Sequence, residues 1–289
     1  MIVLVDAGNS RIKLGWLEPA GGAREDAALA LAYDAAALRG GDQTATLEAA
    51  EAALDAWLAP QLDAWLRGLP AAPARALGVT VAAPAVGRVL ETALQRHGCA
   101  LAWQRPGPAA AGLRNGYARP GQLGADRWAA LLGLRARLPA GHGPALLASF
   151  GTATTLDAIG PDDVFPGGLI LPGPALMLAS LANGTANLPL AGGAAVDFPV
   201  DTHQAIATGV AAAQAGALLR QWLAAWQRYG APPEVYVTGG DWRDVADESR
   251  RLLADTARHR GIAPPAVQEL ANPVLDGLAE MARGQQQDG

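Results

Sequence analysis

Two short stretches of this chain repeat one pattern, and the repeat constrains the fold more than any other feature. In MIVLVDAGNSRIKLGW, residues 1–16, an apolar run from Ile2 to Val5 reads as a buried strand. It ends in Asp6, passes through the turn Ala7-Gly8-Asn9-Ser10, and continues into the alternating run Arg11 to Trp16, a second strand. Residues 145–157, ALLASFGTATTLD, do the same around Gly151. Aligning the turns sets Gly8 on Gly151, Asn9 on Thr152 and Ser10 on Ala153. One such hairpin opens each half of the chain. The pattern predicts two structurally related α/β domains facing each other across a phosphate-sized cleft.

The residues at the turns suggest chemistry. Gly8 has no Cβ to block close approach, so the turn can aim backbone N–H groups at an anion. Asp6, at the strand's end, can hold a hydrated Mg²⁺, and Lys13 can reach a β/γ-phosphate oxygen. This is not a P-loop, which needs a strand, a loop and a helix with Gly-Lys-Ser/Thr. An ordinary β-hairpin with a polar turn explains one such pattern equally well. A third glycine signal strengthens the set. Pro233 to Thr238 is a strand ending in Gly239-Gly240, with a helix start at Asp241. Paired glycines there let an adenine or a ribose lie against the backbone.

Composition narrows the partners. The net charge of −5 gives no reason to expect nucleic acid or an anionic membrane surface. Lys13 is the chain's only lysine. Cys99 is the only cysteine, which excludes an intramolecular disulfide and a cysteine zinc site. His97, His142, His203 and His259 lack metal-ligand spacing. With no apolar stretch able to span a bilayer and no signal peptide ahead of the first strand, the expectation is a cytoplasmic protein.

The organisation follows the repeat. Three strands are expected within 1–35, a helix over 44–67 interrupted by Pro60, a strand over 77–82 and a helix over 87–97. A short edge strand at 101–103 and a helix over 124–137 complete the first half. PAGHGP, residues 139–144, is the best boundary. Strands near 145–150, 153–159 and 164–171 follow, then helices at 174–183 and 202–228, a strand at 234–238, a helix from 242, a strand at 266–270 and a helix at 272–283. The predicted domains are 1–141 and 142–284, with 285–289 a disordered tail. The Ala-rich region 39–73 carries no recognisable chemistry.

Leu123-Gly124-Ala125-Asp126-Arg127-Trp128 is the remaining candidate. A glycine before a helix leaves room for a ligand at the helix N-terminus. Asp126 can take a proton from an attacking hydroxyl, and Arg127 can hold a substrate carboxylate in a bidentate fork. Residue type alone equally describes a charged helix start with a surface ion pair.

The order DAGNSRIK, GADR, FGTATTLD, FPGGLILPG and VTGGD resembles the type III pantothenate kinases, within the actin- and hexokinase-like ATPase superfamily. The resemblance spans about residues 1–283. It implies two ribonuclease-H-like domains, a homodimer, and ATP-dependent phosphorylation of pantothenate to 4'-phosphopantothenate, the first step of coenzyme A synthesis. It implies that Asp6, Ala7, Gly8, Asn9, Ser10, Arg11, Ile12 and Lys13 bind ATP with Mg²⁺, together with Thr152. Tyr117, Gly124, Ala125, Asp126, Arg127 and Thr202 would contact pantothenate, with Asp126 the catalytic base. A helix N-cap hydroxyl is a second reading of Thr202, and a loop aromatic packed on Pro120 a second reading of Tyr117. Members of the family usually bind K⁺ or NH₄⁺ through an Asp three residues before the threonine of the second hairpin; here that position is Ser149, which puts the cation site in doubt. Two alternatives remain. One is a superfamily kinase acting on another alcohol. The other is a transcriptional regulator like the Bvg accessory factors, which predicts a damaged catalytic set or a basic surface, and the sequence has neither.

Overall fold

The computed structural model describes residues 1–18, 24, 28–33 and 44–287. The loop expected at 39–42 lies outside the described residues, as do Asp288 and Gly289. Two compact units divide the chain. The first holds residues 1–112, 118–137 and 272–289; the second holds 113–117 and 138–271.

The first unit is built on a five-stranded sheet. Its strands are β1 (Ile2–Ala7), β2 (Arg11–Leu17), β3 (Leu29–Ala32), β4 (Arg75–Thr80) and β5 (Leu101–Trp103), in the order β3-β2-β1-β4-β5. β1 pairs antiparallel with β2 and parallel with β4. Every residue of β1 is buried, because both faces of the sheet are covered. On one face Val3, Val5, Ala7, Ile12 and Leu14 pack on α1 (Thr44–Arg67) and α2 (Pro84–Gln95), through Leu58, Leu62, Val86 and Leu90 among others. On the other, Ile2, Leu4, Leu77 and Val79 meet α3 (Ala125–Arg135) and α7 (Pro273–Gln287), through Ala129, Leu275, Leu278 and Ala282.

Two expectations change here. α1 runs on through Pro60 rather than breaking. Proline removes a backbone donor within the helix, and beside it the Gln61 side chain donates to the Trp57 carbonyl at 2.8 Å. α7 belongs to the first unit, not to the second domain as its place in sequence suggests. Close backbone contact holds it there: a Cβ on Gly277 would lie 1.8 Å from the Ala129 carbonyl, and one on Gly133 2.1 Å from that of Pro273. Asp276 of α7 also bonds the buried Arg24 and the more exposed Arg137, each at 2.6 Å. The same helix reaches Gln287, so residues 285–287 are helical rather than a disordered tail.

The second unit repeats the sheet. After β6 (Ala109–Ala110), which belongs to the first unit, come β7 (Leu113–Asn115), β8 (Ala145–Phe150), β9 (Ala153–Ile159), β10 (Val164–Phe165), β11 (Gly168–Pro172), β12 (Glu234–Thr238) and β13 (Val267–Glu269) of the second. The order is β11-β9-β8-β12-β13, with β8 antiparallel to β9 and parallel to β12. This is the first sheet's topology strand for strand. The single strand expected over 164–171 is two strands, because Pro166 lacks a donor and Gly167 turns the chain at φ 129°. Leu146, Ala148, Phe150, Leu156, Val235 and Val237 form the inner face against α5 (Thr202–Tyr229) and α6 (Trp242–His259), through Leu218, Trp222, Trp242 and Val245. α4 (Pro174–Gly184) follows β11 and buries little of its apolar sequence: Pro174 is its only buried residue.

Candidate active site

The sites in the two units are described separately. In the first, Asp6 and Lys13 sit opposite each other on β1 and β2. Asp6 is 8% exposed. Burial pushes its carboxyl pKa up to about 6, the Lys13 ammonium pulls it back, and the Asp126 carboxylate raises it further. Two carboxylates and one ammonium are thus close enough to feel one another in a desolvated place. Such a site favours a divalent cation, since Mg²⁺ needs only one or two carboxylates besides phosphate oxygens. Among the described residues no three His, Cys, Asp or Glu side chains cluster as a dedicated metal cage.

The first hairpin is more constrained than its sequence suggests. The Gly8 N–H donates to the Arg11 carbonyl at 3.0 Å, and the Gly8 carbonyl accepts from the Tyr33 hydroxyl at 2.7 Å. The Gly8 N–H therefore closes the turn instead of facing an anion. Ala7 and Ile12 are buried in the core, leaving only their backbone to a ligand. Asn9, Ser10 and Arg11 are the exposed tip.

α3 presents the second carboxylate. Gly124 is its N-cap, and the Asp126 Oδ1 accepts from the Arg127 N–H at 2.7 Å. A Cβ on Gly124 would stand 2.7 Å from that oxygen. Glycine here thus makes room for the Asp126 carboxylate itself, and the carboxylate tethers the first turn of its own helix. The pKa of Asp126 is raised, chiefly by burial, against the lowering pull of the Arg127 N–H and guanidinium. A carboxylate held above its usual range is the state a general base for an alcohol needs. Arg127 itself is buried, at 6% exposure, with interactions of its own.

In the second unit three glycine signals meet at one turn. A Cβ on Gly173 would lie 1.8 Å from the Gly151 carbonyl, and one on Gly239 1.9 Å from the Phe150 carbonyl. Gly239 also needs its φ of 102°, and the Gly173 N–H donates to the Thr152 carbonyl at 3.0 Å. The turn holding Thr152 is therefore pressed from both sides by backbone. Gly151 itself has ordinary room: the nearest atom to a Cβ there is the Ala153 carbonyl, at 3.9 Å. The glycines that cannot change are those pressing on the turn.

The other residues singled out from sequence fall in different places in this unit. Tyr117 stacks on Phe165 at 5.5 Å between ring centroids. Thr202 is the first residue of α5, whereas the N-cap is Asp201, whose side chain accepts from the Gln204 N–H at 2.9 Å. Thr202 is exposed and lines a groove of about 510 Å³ with Met177, Leu181, Leu188, Ile206 and Val210. Sequence reasoning missed this apolar groove; the near-continuous apolar run of α4 is the signal that could have found it.

Two sheets of the same strand order, the first with a carboxylate and a lysine paired beside its turn, give the chain a duplicated α/β fold with the charged groups that a kinase uses. A family model for type III pantothenate kinases matches residues 2–224. Proteins named type III pantothenate kinase from Bordetella bronchiseptica and Bordetella petrii are each 54% identical over 282 residues, covering 98% of this chain and 97% of theirs. One from Azoarcus is 38% identical over 282 residues, 98% of this chain and 90% of its own. The crystal structure of a conserved protein of the Baf family of transcriptional activators, from Campylobacter jejuni, superposes with a TM-score of 0.49 at 17% identity, covering 99% of each chain. The chain belongs to the type III pantothenate kinase family.

Proposed function

We propose that this chain transfers the γ-phosphoryl group of ATP to the primary hydroxyl of pantothenate, giving 4'-phosphopantothenate. The observation that carries the reading is the pair Asp6 and Asp126, two carboxylates in one desolvated place beside the chain's only lysine. Phosphoryl transfer needs little covalent help from the protein; it needs charge neutralisation, alignment and a base. Asp126 takes the hydroxyl proton as the nucleophile attacks. Lys13 offsets charge on the phosphates, and Asp6 holds the Mg²⁺ that arrives with the nucleotide and neutralises its charge. Thr152 and the exposed tip Asn9 to Arg11 position the phosphates. Tyr117, Arg127 and Thr202 hold pantothenate, with the Arg127 fork suited to its carboxylate.

The enzyme works as a homodimer in the cytoplasm. Support for self-association comes from the second unit, where Phe198 and Val200 are 89% and 90% exposed, near Leu190 and Val196, which are also exposed. Apolar side chains left this bare on a folded surface mark an interaction site. Sedimentation should give twice the chain mass, and Phe198→Asp should shift it toward a single chain. The activity itself is tested by coupled ATP consumption with pantothenate against a panel of other primary alcohols. Turnover with pantothenate well above the panel is expected; equal turnover across the panel, or none, would reject the substrate.

A further inference from the structure

The second sheet carries a row of side chains that no step above uses. Thr155, Ser149 and Thr238 are paired across β9, β8 and β12, so all three leave the same face of the sheet. It is the face away from α5 and α6, since the alternate residues Ala148 and Phe150 point into that core. All three are half-buried. Among the described residues, none of their hydroxyls has a hydrogen-bond partner in the protein. Their oxygens are not among the described buried atoms that lack a partner, so each hydroxyl stays open to water or to a ligand. Three in a row, beside the turn that Gly173 and Gly239 press into shape, call for a ligand that accepts hydrogen bonds.

Register gives the counterpart of each residue. In the first sheet the same three positions hold Lys13, Asp6 and Val79. A carboxylate there repels phosphate unless a cation stands between them; a hydroxyl donates to phosphate directly. The next carboxylate on the face is Asp157, opposite Leu147 and farther from the turn; it is buried and already engaged. Three neutral oxygens without a free carboxylate are a weak cradle for K⁺ or NH₄⁺, and the residues present do not fit the cation site that the family resemblance implies.

We infer that Ser149, Thr155 and Thr238 donate directly to a phosphate group of the bound nucleotide and take the place of a monovalent cation. This rests on the nucleotide binding proposed above and not on which alcohol is phosphorylated. Calorimetric titration of the full chain with Mg·ADP and with adenosine tests it. Thr155→Val and Thr238→Val keep shape and strand propensity and remove only the hydroxyl. Each should weaken ADP about fivefold to tenfold, the scale of one hydrogen bond to a charged group, and leave adenosine unchanged. Thr155→Ser and Thr238→Ser, which keep the hydroxyl, should bind ADP like wild type, and they keep the test open if a valine variant folds poorly. Wild type should bind ADP equally in K⁺ and in tetramethylammonium buffer. Wild-type ADP affinity in either valine variant, or a large loss of wild-type affinity without K⁺, would overturn the inference. If hydroxyl-dependent ADP binding holds while pantothenate is not phosphorylated, the proposed substrate fails and this inference stands.

Discussion

The two sheets share strand order and strand direction, yet their hairpins are not interchangeable. In the first, four residues, Gly8 to Arg11, lie between the last strand pair, Ala7 and Ile12; in the second, only Gly151 to Ala153 lie between Phe150 and Thr154. At the equivalent register one sheet sets a buried carboxylate against a lysine, and the other sets a serine between two threonines. The backbone supplies the same platform twice. The side chains at that register set a carboxylate and an ammonium on one sheet and three hydroxyls on the other. The steric demands differ too. Gly8 would bring a Cβ no nearer than 3.3 Å to anything, whereas the turn of the second hairpin is wedged between two glycines that admit none.

The largest expected effect tests the assignment of charge chemistry to the first unit. Asp126→Asn removes a base in a near-isosteric swap and should lower turnover by roughly 10²–10⁴-fold, with ATP binding largely intact. Steady-state kinetics beside a nucleotide titration checks it, and turnover within about threefold of wild type would place the base elsewhere.

Asp6→Asn should separate function from stability. Lost metal positioning should make ATP use fall sharply, as it should in Lys13→Ala through lost neutralisation of the phosphates. Without nucleotide, however, the Asp6→Asn protein should melt higher than wild type at pH 7.5. The folded-state pKa of Asp6 is raised, from 3.8 to about 6. A raised carboxyl pKa means that the folded state prefers the protonated form. The wild-type stability gained from that preference is full below about pH 4 and lost as pH rises through about 6, on the order of 3 kcal/mol. Melting curves from pH 4 to 7.5 should therefore decline in wild type and stay flatter in the variant. Parallel curves would mean that Asp6 is not buried at this cost.

Gly239→Ala and Gly8→Ala break the comparison sterically. The first forces a Cβ onto the Phe150 carbonyl at a φ that L side chains avoid, and should cost about 2–4 kcal/mol. The second should cost under about 1 kcal/mol, since its φ is ordinary and its closest neighbour lies at 3.3 Å. Urea unfolding of both variants measures the gap, and equal losses would mean the second turn is not wedged.

Much of this was legible in the chain, and the failures share a cause. Strands 145–150, 153–159 and 234–238 begin and end where the alternation and the flanking glycines place them. α2 starts three residues early because Pro84 occupies its first turn, where a missing N–H costs nothing. β6 and β7 escaped notice because they are two and three residues long, separated by Ala111 and Gly112 at positive φ. At the site, Asp6 and Lys13 pair across one hairpin, a neighbourhood that local sequence gives, whereas Asp126 comes to them from α3. What local pattern could not give is who touches whom at long range. That Gly277 lets α7 press on α3, that Gly173 and Gly239 rather than Gly151 are the irreplaceable glycines, and that Thr155 and Thr238 flank Ser149 all depend on strands and helices far apart in sequence.

The smallest expected effect is the sharpest test of what separates the two hairpins. Ser149→Asp makes the second hairpin like the first at the register of Asp6. Its new carboxylate would stand between Thr155 and Thr238 with no ammonium opposite it, since the residue in the register of Lys13 is Thr155. Facing a phosphate, that charge repels the nucleotide unless a cation intervenes, so the variant should gain a K⁺ dependence that wild type lacks. Without K⁺ it should also melt lower, because a half-buried charge without a partner destabilises the fold and an ion that binds only the folded form restores it. Activity and melting titrated with K⁺, Na⁺ and tetramethylammonium decide the matter. A K⁺ response confined to the variant, worth a few-fold in activity, is expected. An identical response in both proteins would show that position 149 does not face the phosphates and that the two hairpins differ in sequence without differing in task.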